Sequence, residues 1–228
     1  MARSDDVTED MGGHRALTPR QRERRERILS TTYELLAEHG YDGVSMKMIA
    51  KSAKVAERTL FNIYSSKDLL IATSARERSD GIMLSIMDNV GEGELAYFYS
   101  LADTLAYETL AAPSLARGLA TVLVRNPDLV GLGEIYERHV GEVLKDFAER
   151  GRIEAHEVSI ICNLFAMRIV SLITLWSGGT IADNALNPHM RLAVCQVLAP
   201  HLAGDLQAEV LAEARAAVAA IRAVETYP

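Results

Sequence analysis

Apolar residues recur along this chain at intervals of three and four, the period of amphipathic helices, and nowhere in the sustained alternation of a half-buried strand. The first long run, RQRERRERILSTTYELLAEH, carries Ile28, Leu29, Thr32, Leu35 and Leu36 on one face, with Thr18 placed as a cap, Pro19 at the first helical position and Gly40 at the end. Two short helices follow. Ser45 can cap one in which Met48, Ile49 and Ala53 form the apolar side and Lys47 and Lys51 face outward. After a break near Lys54 and Val55, a second helix from about Glu57 sets Val55, Leu60 and Ile63 against the core and turns Arg58, Thr59, Phe61 and Asn62 to solvent. Ser66 then caps a longer helix from Lys67 to about Asp88, and Gly91-Glu92-Gly93 breaks the chain.

Beyond that break every element again reads as helix, so the expected class is all-α. One helix places Leu95, Phe98, Tyr99, Ala102 and Leu105 together, a shorter one runs from Pro113 to Arg125, and Asn126-Pro127-Asp128 caps a third, bent near Gly131 and Gly133 and stopping by Gly151. The stretch Glu154 to Trp176 has two apolar sides. Val158, Ile161, Cys162, Phe165, Ile169, Leu172, Ile173 and Trp176 make one, and Ile160, Leu164, Met167 and Leu175 the other, so the helix must be covered nearly all round. Pro188 is expected to start the next helix, with Leu192, Cys195, Ala199 and Leu202 inward. An alanine-rich helix through Leu206, Val210, Ala217, Ile221 and Val224 closes the chain. Residues 1–17 lack periodicity and contain Gly12-Gly13, which predicts a mobile arm. The expected organisation is therefore an arm (1–17), a three-helix head (18–66), a connecting helix (67–90) and a helical body (91–228).

The two short helices joined by a tight turn form a helix-turn-helix, whose second helix is of a size to enter the major groove of B-DNA. A net charge of −7 argues against nucleic acid until it is divided: residues 14–67 carry eleven Lys/Arg against six Asp/Glu, a net of +5, leaving −12 for the remainder. Ser45, Ile49-Ala50, Ala53, Val55, Thr59-Leu60-Phe61, Ile63-Tyr64, Lys67 and Leu70 fall where the signature T..IA..AGVS.GTLY.YF..K..L requires, and over residues 28–70 the chain resembles the TetR (tetracycline-repressor) family. Lys54 and Ala56 depart from it, standing where the signature has its turn glycine and its capping serine.

The resemblance implies a homodimer whose two heads, about one helical turn apart, read a pseudo-palindromic double-stranded DNA operator, and whose body binds a small effector that changes their spacing. Arg58, Thr59 and Asn62 are the expected base readers, with Ser45, Lys47, Phe61, Tyr64 and Lys67 on the backbone. Aromatic and polar residues suited to lining an effector cavity are Tyr97, Phe98, Tyr107, Tyr136, His139, Phe165, Arg168 and Trp176, with Arg168 needing either an acidic neighbour or an anionic ligand. The helices matching 154–177 and 188–202 imply a four-helix dimer interface, with Leu164, Met167, Leu175, Leu192 and Cys195 as contacts.

Other chemistry finds little support. Cys162 and Cys195 sit in apolar patterns without metal-ligand spacing, reading as buried thiols in a reducing cytoplasm. The histidines lack Glu-x-x-His spacing and no nucleophile elbow occurs, so no enzyme, cofactor or metal is expected. The opening MARSDDVTED is unlike a signal peptide, and Asn163 and Arg168 interrupt the longest apolar run, which argues against a membrane span. The expected function is a ligand-responsive repressor; the alternative is a module of the same fold whose body binds another protein.

Overall fold

The computed structural model describes residues 18–87, 90–125 and 130–224. The predicted arm and the Asn126-Pro127-Asp128 cap lie outside these residues. Among the described residues all regular structure is helical: α1 (Pro19–Gly43), α2 (Met46–Ser52), α3 (Glu57–Ile63), α4 (Lys67–Met87), α5 (Ala96–Ala111), α6 (Pro113–Arg125), α7 (Leu132–Glu149), a 3-10 turn (Ala155–Glu157), α8 (Val158–Ser177), α9 (Asp183–Leu198) and α10 (Gly204–Val224).

The start of α1 follows from its sequence: Thr18 and Gln21 form a reciprocal capping box and Pro19 occupies the first turn. At Gly40 the backbone turns left-handed (φ 66°), which kinks the helix and tucks Tyr41 into the core. Ile28, Leu36, Ile49, Ala53, Leu60 and Leu70 form the centre of the head. Its core does not stop at the head's predicted boundary, because Leu115, Val122 and Leu123 of α6 belong to the same cluster. The connecting helix is likewise shared: Leu70, Ile71, Ala72 and Ala75 of α4 pack in the head, and Met83 and Ile86 in the body.

The body is built round an aromatic stack. The rings of Phe98 and Phe165 lie parallel with centroids 5.8 Å apart, Tyr136 stacks on Phe165 at 6.5 Å, and Tyr97 and Phe147 each meet Phe98 edge-on at 5.5 Å. Such pairs contribute about 0.5–1.5 kcal/mol beyond their area. Asp103 of α5 fixes α9 beside it. Burial would raise its carboxyl's pKa, but hydrogen bonds from Arg191 and Asn187, with the guanidinium charge, hold it below the ordinary value. Arg191 also bonds Glu213 of α10 at 2.7 Å.

One predicted boundary is wrong. α9 starts at Asp183, not at Pro188, so the proline lies inside the helix, where its missing N–H leaves the carbonyl one turn earlier without its usual partner. The two-sided character of α8 is as predicted: Val158, Ile161, Cys162, Phe165, Ala166, Ile169 and Trp176 are buried, while Ile160, Met167 and Leu175 are 50%, 59% and 45% exposed. Residues 155–177 are long and apolar enough to cross a bilayer, but that buried face is integral to the body's core. Both thiols are free and buried, and burial pushes each up to about 11, which keeps them protonated at neutral pH.

Candidate nucleic-acid interface and effector cavity

The Ser45 hydroxyl accepts the Met48 N–H at 3.3 Å and so caps α2. Lys54 then adopts φ 54°, the conformation for which glycine is the usual residue, and the Val55 N–H reaches back to the Ala50 carbonyl at 2.9 Å, closing the turn. α3 begins at Ala56, which offers no side-chain cap; Glu57 in the first turn supplies only its charge to the helix dipole. Leu60 anchors α3 from beneath, while Arg58, Phe61 and Asn62 are exposed and Thr59 half-buried. Lys47 and Lys51 are exposed on α2. From α1, the Arg27 Nε donates to the Ala53 carbonyl at 2.9 Å and holds the turn against the first helix.

Three expectations here require correction. Ile63 is 39% exposed, and Tyr64 is buried in its place, only 3% exposed. The helix ends at Ile63 and Tyr64 is extended (ψ 106°), so the helical period no longer governs where its side chain points. Its phenol, sealed in the core without a hydrogen-bond partner and with its pKa pushed up by burial, does not present itself to a phosphate. Lys67 is also turned inward. Its ammonium donates to the carbonyls of Tyr41 (2.9 Å) and Val44 (3.1 Å) and lies 4.0 Å from the centroid of the Tyr41 ring, which stitches the kinked end of α1 to α4.

The body holds a cavity of about 100 Å³. Its wall comes from five helices and is mainly apolar: Ala75, Ile82 and Met83 of α4, Leu105 and Ala112 at the end of α5, Leu115, Ala116 and Leu119 of α6, Tyr136 of α7, and Ile169 and Ile173 of α8. An ion pair between Arg78 and Glu108 is the charged part of its wall. Of the eight expected effector residues only Tyr136 lines it; its hydroxyl is buried without a partner, and burial pushes its pKa well up. Tyr97, Phe98 and Phe165 are in the aromatic stack. Tyr107 is 69% exposed, and His139 bonds Asp80 at 2.9 Å. Trp176 donates to Asp183 at 2.8 Å beneath the Arg117 guanidinium, away from the cavity. Arg168 is exposed on the far side of α8.

That far side holds the expected dimer contacts. Met167 and Leu175 are exposed, Leu164 is half-buried, and Leu192 of α9 lines a groove beside Arg168, Leu172, Leu175 and His189. Cys195 is the exception, fully buried in the body's core.

A family model of the bacterial regulatory proteins of the tetR family matches residues 28–73, the end of α1 through the first turns of α4. Over these residues the chain matches the TetR family. Among curated relatives, it is 28% identical over 137 residues to the HTH-type transcriptional regulator YdeS of Bacillus subtilis, covering 60% of this chain and 63% of that protein. It is 45% identical over 58 residues to the HTH-type transcriptional repressor KstR of Rhodococcus jostii, covering 25% and 27%. The alignments thus span less than two thirds of either relative. Among solved structures, Thermus thermophilus FadR, a TetR-family repressor in complex with lauroyl-CoA, superposes with a TM-score of 0.64 at 21% identity over 79% of this chain and 96% of that one. A TetR regulator of Rhodococcus sp. RHA1 gives 0.65 at 21% identity, over 78% and 97%. At such identities the likeness is one of fold. The family's turn glycine and capping serine are replaced here by a strained Lys54 and an uncapped Ala56, yet the helix-turn-helix closes with its backbone hydrogen bonds intact.

Proposed function

We propose that the protein is a cytoplasmic, homodimeric repressor that occupies a pseudo-palindromic DNA operator through both heads and releases it when a small, largely apolar effector enters the cavity beside α4. Arg58, Thr59 and Asn62 read bases, while Ser45, Lys47 and Phe61 meet the backbone. The observation that carries this reading is the division of α4. Its first turns belong to the head core, and its middle, through Ala75, Ser79, Ile82 and Met83, is one wall of the cavity. Between these, α4 is tied to α1 by Glu77–Arg25, to α5 by Arg78–Glu108 and to α7 by Arg76–Glu134. An effector larger than the present cavity of about 100 Å³ must separate α4 from those neighbours, and the head follows α4. The apolar face of α8 and the groove beside Leu192 supply the dimer contact.

A hundredfold loss of operator affinity needs an effector that prefers the released state by about 2.7 kcal/mol. Selection from random duplexes followed by anisotropy of the best duplex tests the first half; titration of fatty and aromatic compounds against that complex tests the second. Ala116→Phe, which fills the cavity, should keep operator affinity and abolish release. A protein that binds no duplex, or an Ala116→Phe variant released as readily as the parent, would overturn the corresponding half.

A further inference from the structure

With Lys67 engaged internally, Lys47 is left as the one expected backbone cation, and the head offers others. A cleft of about 670 Å³ lies between the N-terminal turns of α1 and the start of α3, lined by Arg20, Arg24, Arg27, Lys54 and Thr59, with Glu23 the single carboxylate. Arg25, one residue along the same helix, is paired with Glu77. By contrast Arg20, Arg24 and Arg27 have no carboxylate within ion-pair distance among the described residues, and the Arg24 Nε is sealed from solvent without a hydrogen-bond partner. Four cations around one cleft repel one another, and an unpaired, desolvated guanidinium donor is costly, so the arrangement is that of a site awaiting an anion. Its location selects the anion. Thr59 and Lys54 belong to the helix-turn-helix itself, so whatever α3 enters passes this opening.

We propose that the cleft is a phosphodiester site, in which Arg20, Arg24 and Lys54 take the DNA backbone flanking the groove read by α3 while Arg27, through Ala53, holds the turn in register. The proposal rests on the DNA-binding reading above. Arg20 and Arg24 act as charge contacts without base preference, so they set the salt dependence of binding and not its sequence.

The test uses the full chain with two probes, a mixed-sequence duplex and the best duplex from selection, each titrated across a range of salt. Arg20→Gln/Arg24→Gln should weaken both duplexes by a similar factor and flatten the slope of log K against log salt by about 0.9 for each phosphate no longer neutralised. Arg20→Lys/Arg24→Lys should keep most of the slope, and Arg215→Gln, on the body's last helix, should change nothing. A thermal melt establishes that each variant is folded; should the glutamine pair not fold, Lys54→Gly, at a position glycine favours, reads the same slope. Unchanged affinity and slope in a folded glutamine variant overturns the proposal and leaves the DNA-binding reading standing, whereas a parent protein silent on every duplex removes that reading itself. Thermal stabilisation by inorganic phosphate that the glutamine pair abolishes, with the DNA slope intact, would place a free anion in the cleft and also overturn it.

Discussion

The head and the body both leave large apolar side chains in water, but in different company. On α3, Phe61 and Ile63 are separated by Asn62 and preceded by Arg58, so each apolar side chain has a polar neighbour. On α8, Ile160, Leu164, Met167 and Leu175 follow one another along a single face, with Arg168 and Ser171 at its edge. The first composition suits a wet, charged groove, where aliphatic contact supplements hydrogen bonds. The second suits a dry contact with a surface like itself, since fully burying each such side chain contributes about 1.5–3 kcal/mol.

The comparison breaks most readily at α8. Met167→Glu should weaken self-association at least about a hundredfold, because a buried, unpaired carboxylate costs several kcal/mol; sedimentation would read this, and an unchanged dimer would move the interface elsewhere. In the head, Lys67→Met removes two charge-assisted hydrogen bonds and should cost roughly 2–3 kcal/mol, visible as a lower midpoint in urea. Its DNA salt slope should stay that of the parent, the opposite of what a phosphate contact would give. Tyr136→Phe deletes a hydroxyl that has no partner and should leave the protein equally stable or about 1 kcal/mol more stable in the same titration. Any effector that hydrogen-bonds there should bind the variant more weakly. Lys54→Gly should give a gain of similar size, roughly 0.5–1 kcal/mol, as relief of the left-handed conformation is partly offset by a freer unfolded chain.

The helix-turn-helix is legible in the sequence because its determinants are local: a capping hydroxyl at Ser45, apolar residues three and four apart, and a turn closed by neighbouring carbonyls. The misses arise where that locality ends. Tyr64 lies one residue beyond α3, where the helical wheel no longer applies, and Lys67 finds its partners at the kinked end of α1, more than twenty residues away. In the body the aromatic residues resemble a cavity lining because they are large and partly polar. Large rings fill space, however, and Phe98, Phe165 and Phe147 close upon one another. The void forms instead where small residues from different helices meet, at Ala75, Ser79, Ala112 and Ala116, and no single stretch of chain records that meeting. The exposed apolar face of α8 is legible for the opposite reason, since both apolar sides of one helix are written in a single stretch of chain.

The indole of Trp176, the chain's single tryptophan, is clamped between helices that differ in what they touch. It stands on α8, its N–H is bonded to Asp183 at the start of α9, and the guanidinium lying 4.8 Å from its ring belongs to Arg117 of α6, whose neighbours Leu115, Ala116 and Leu119 form the cavity wall. Buried indoles emit at shorter wavelength than hydrated ones, and a cation over the ring alters the excited state's energy and lifetime. Displacement of α6 relative to α8 would therefore change colour and decay time together, whereas a ligand that merely quenched by proximity would shorten the decay alone. The protein thus carries its own optical gauge for the relative movement of two cavity walls, without any label.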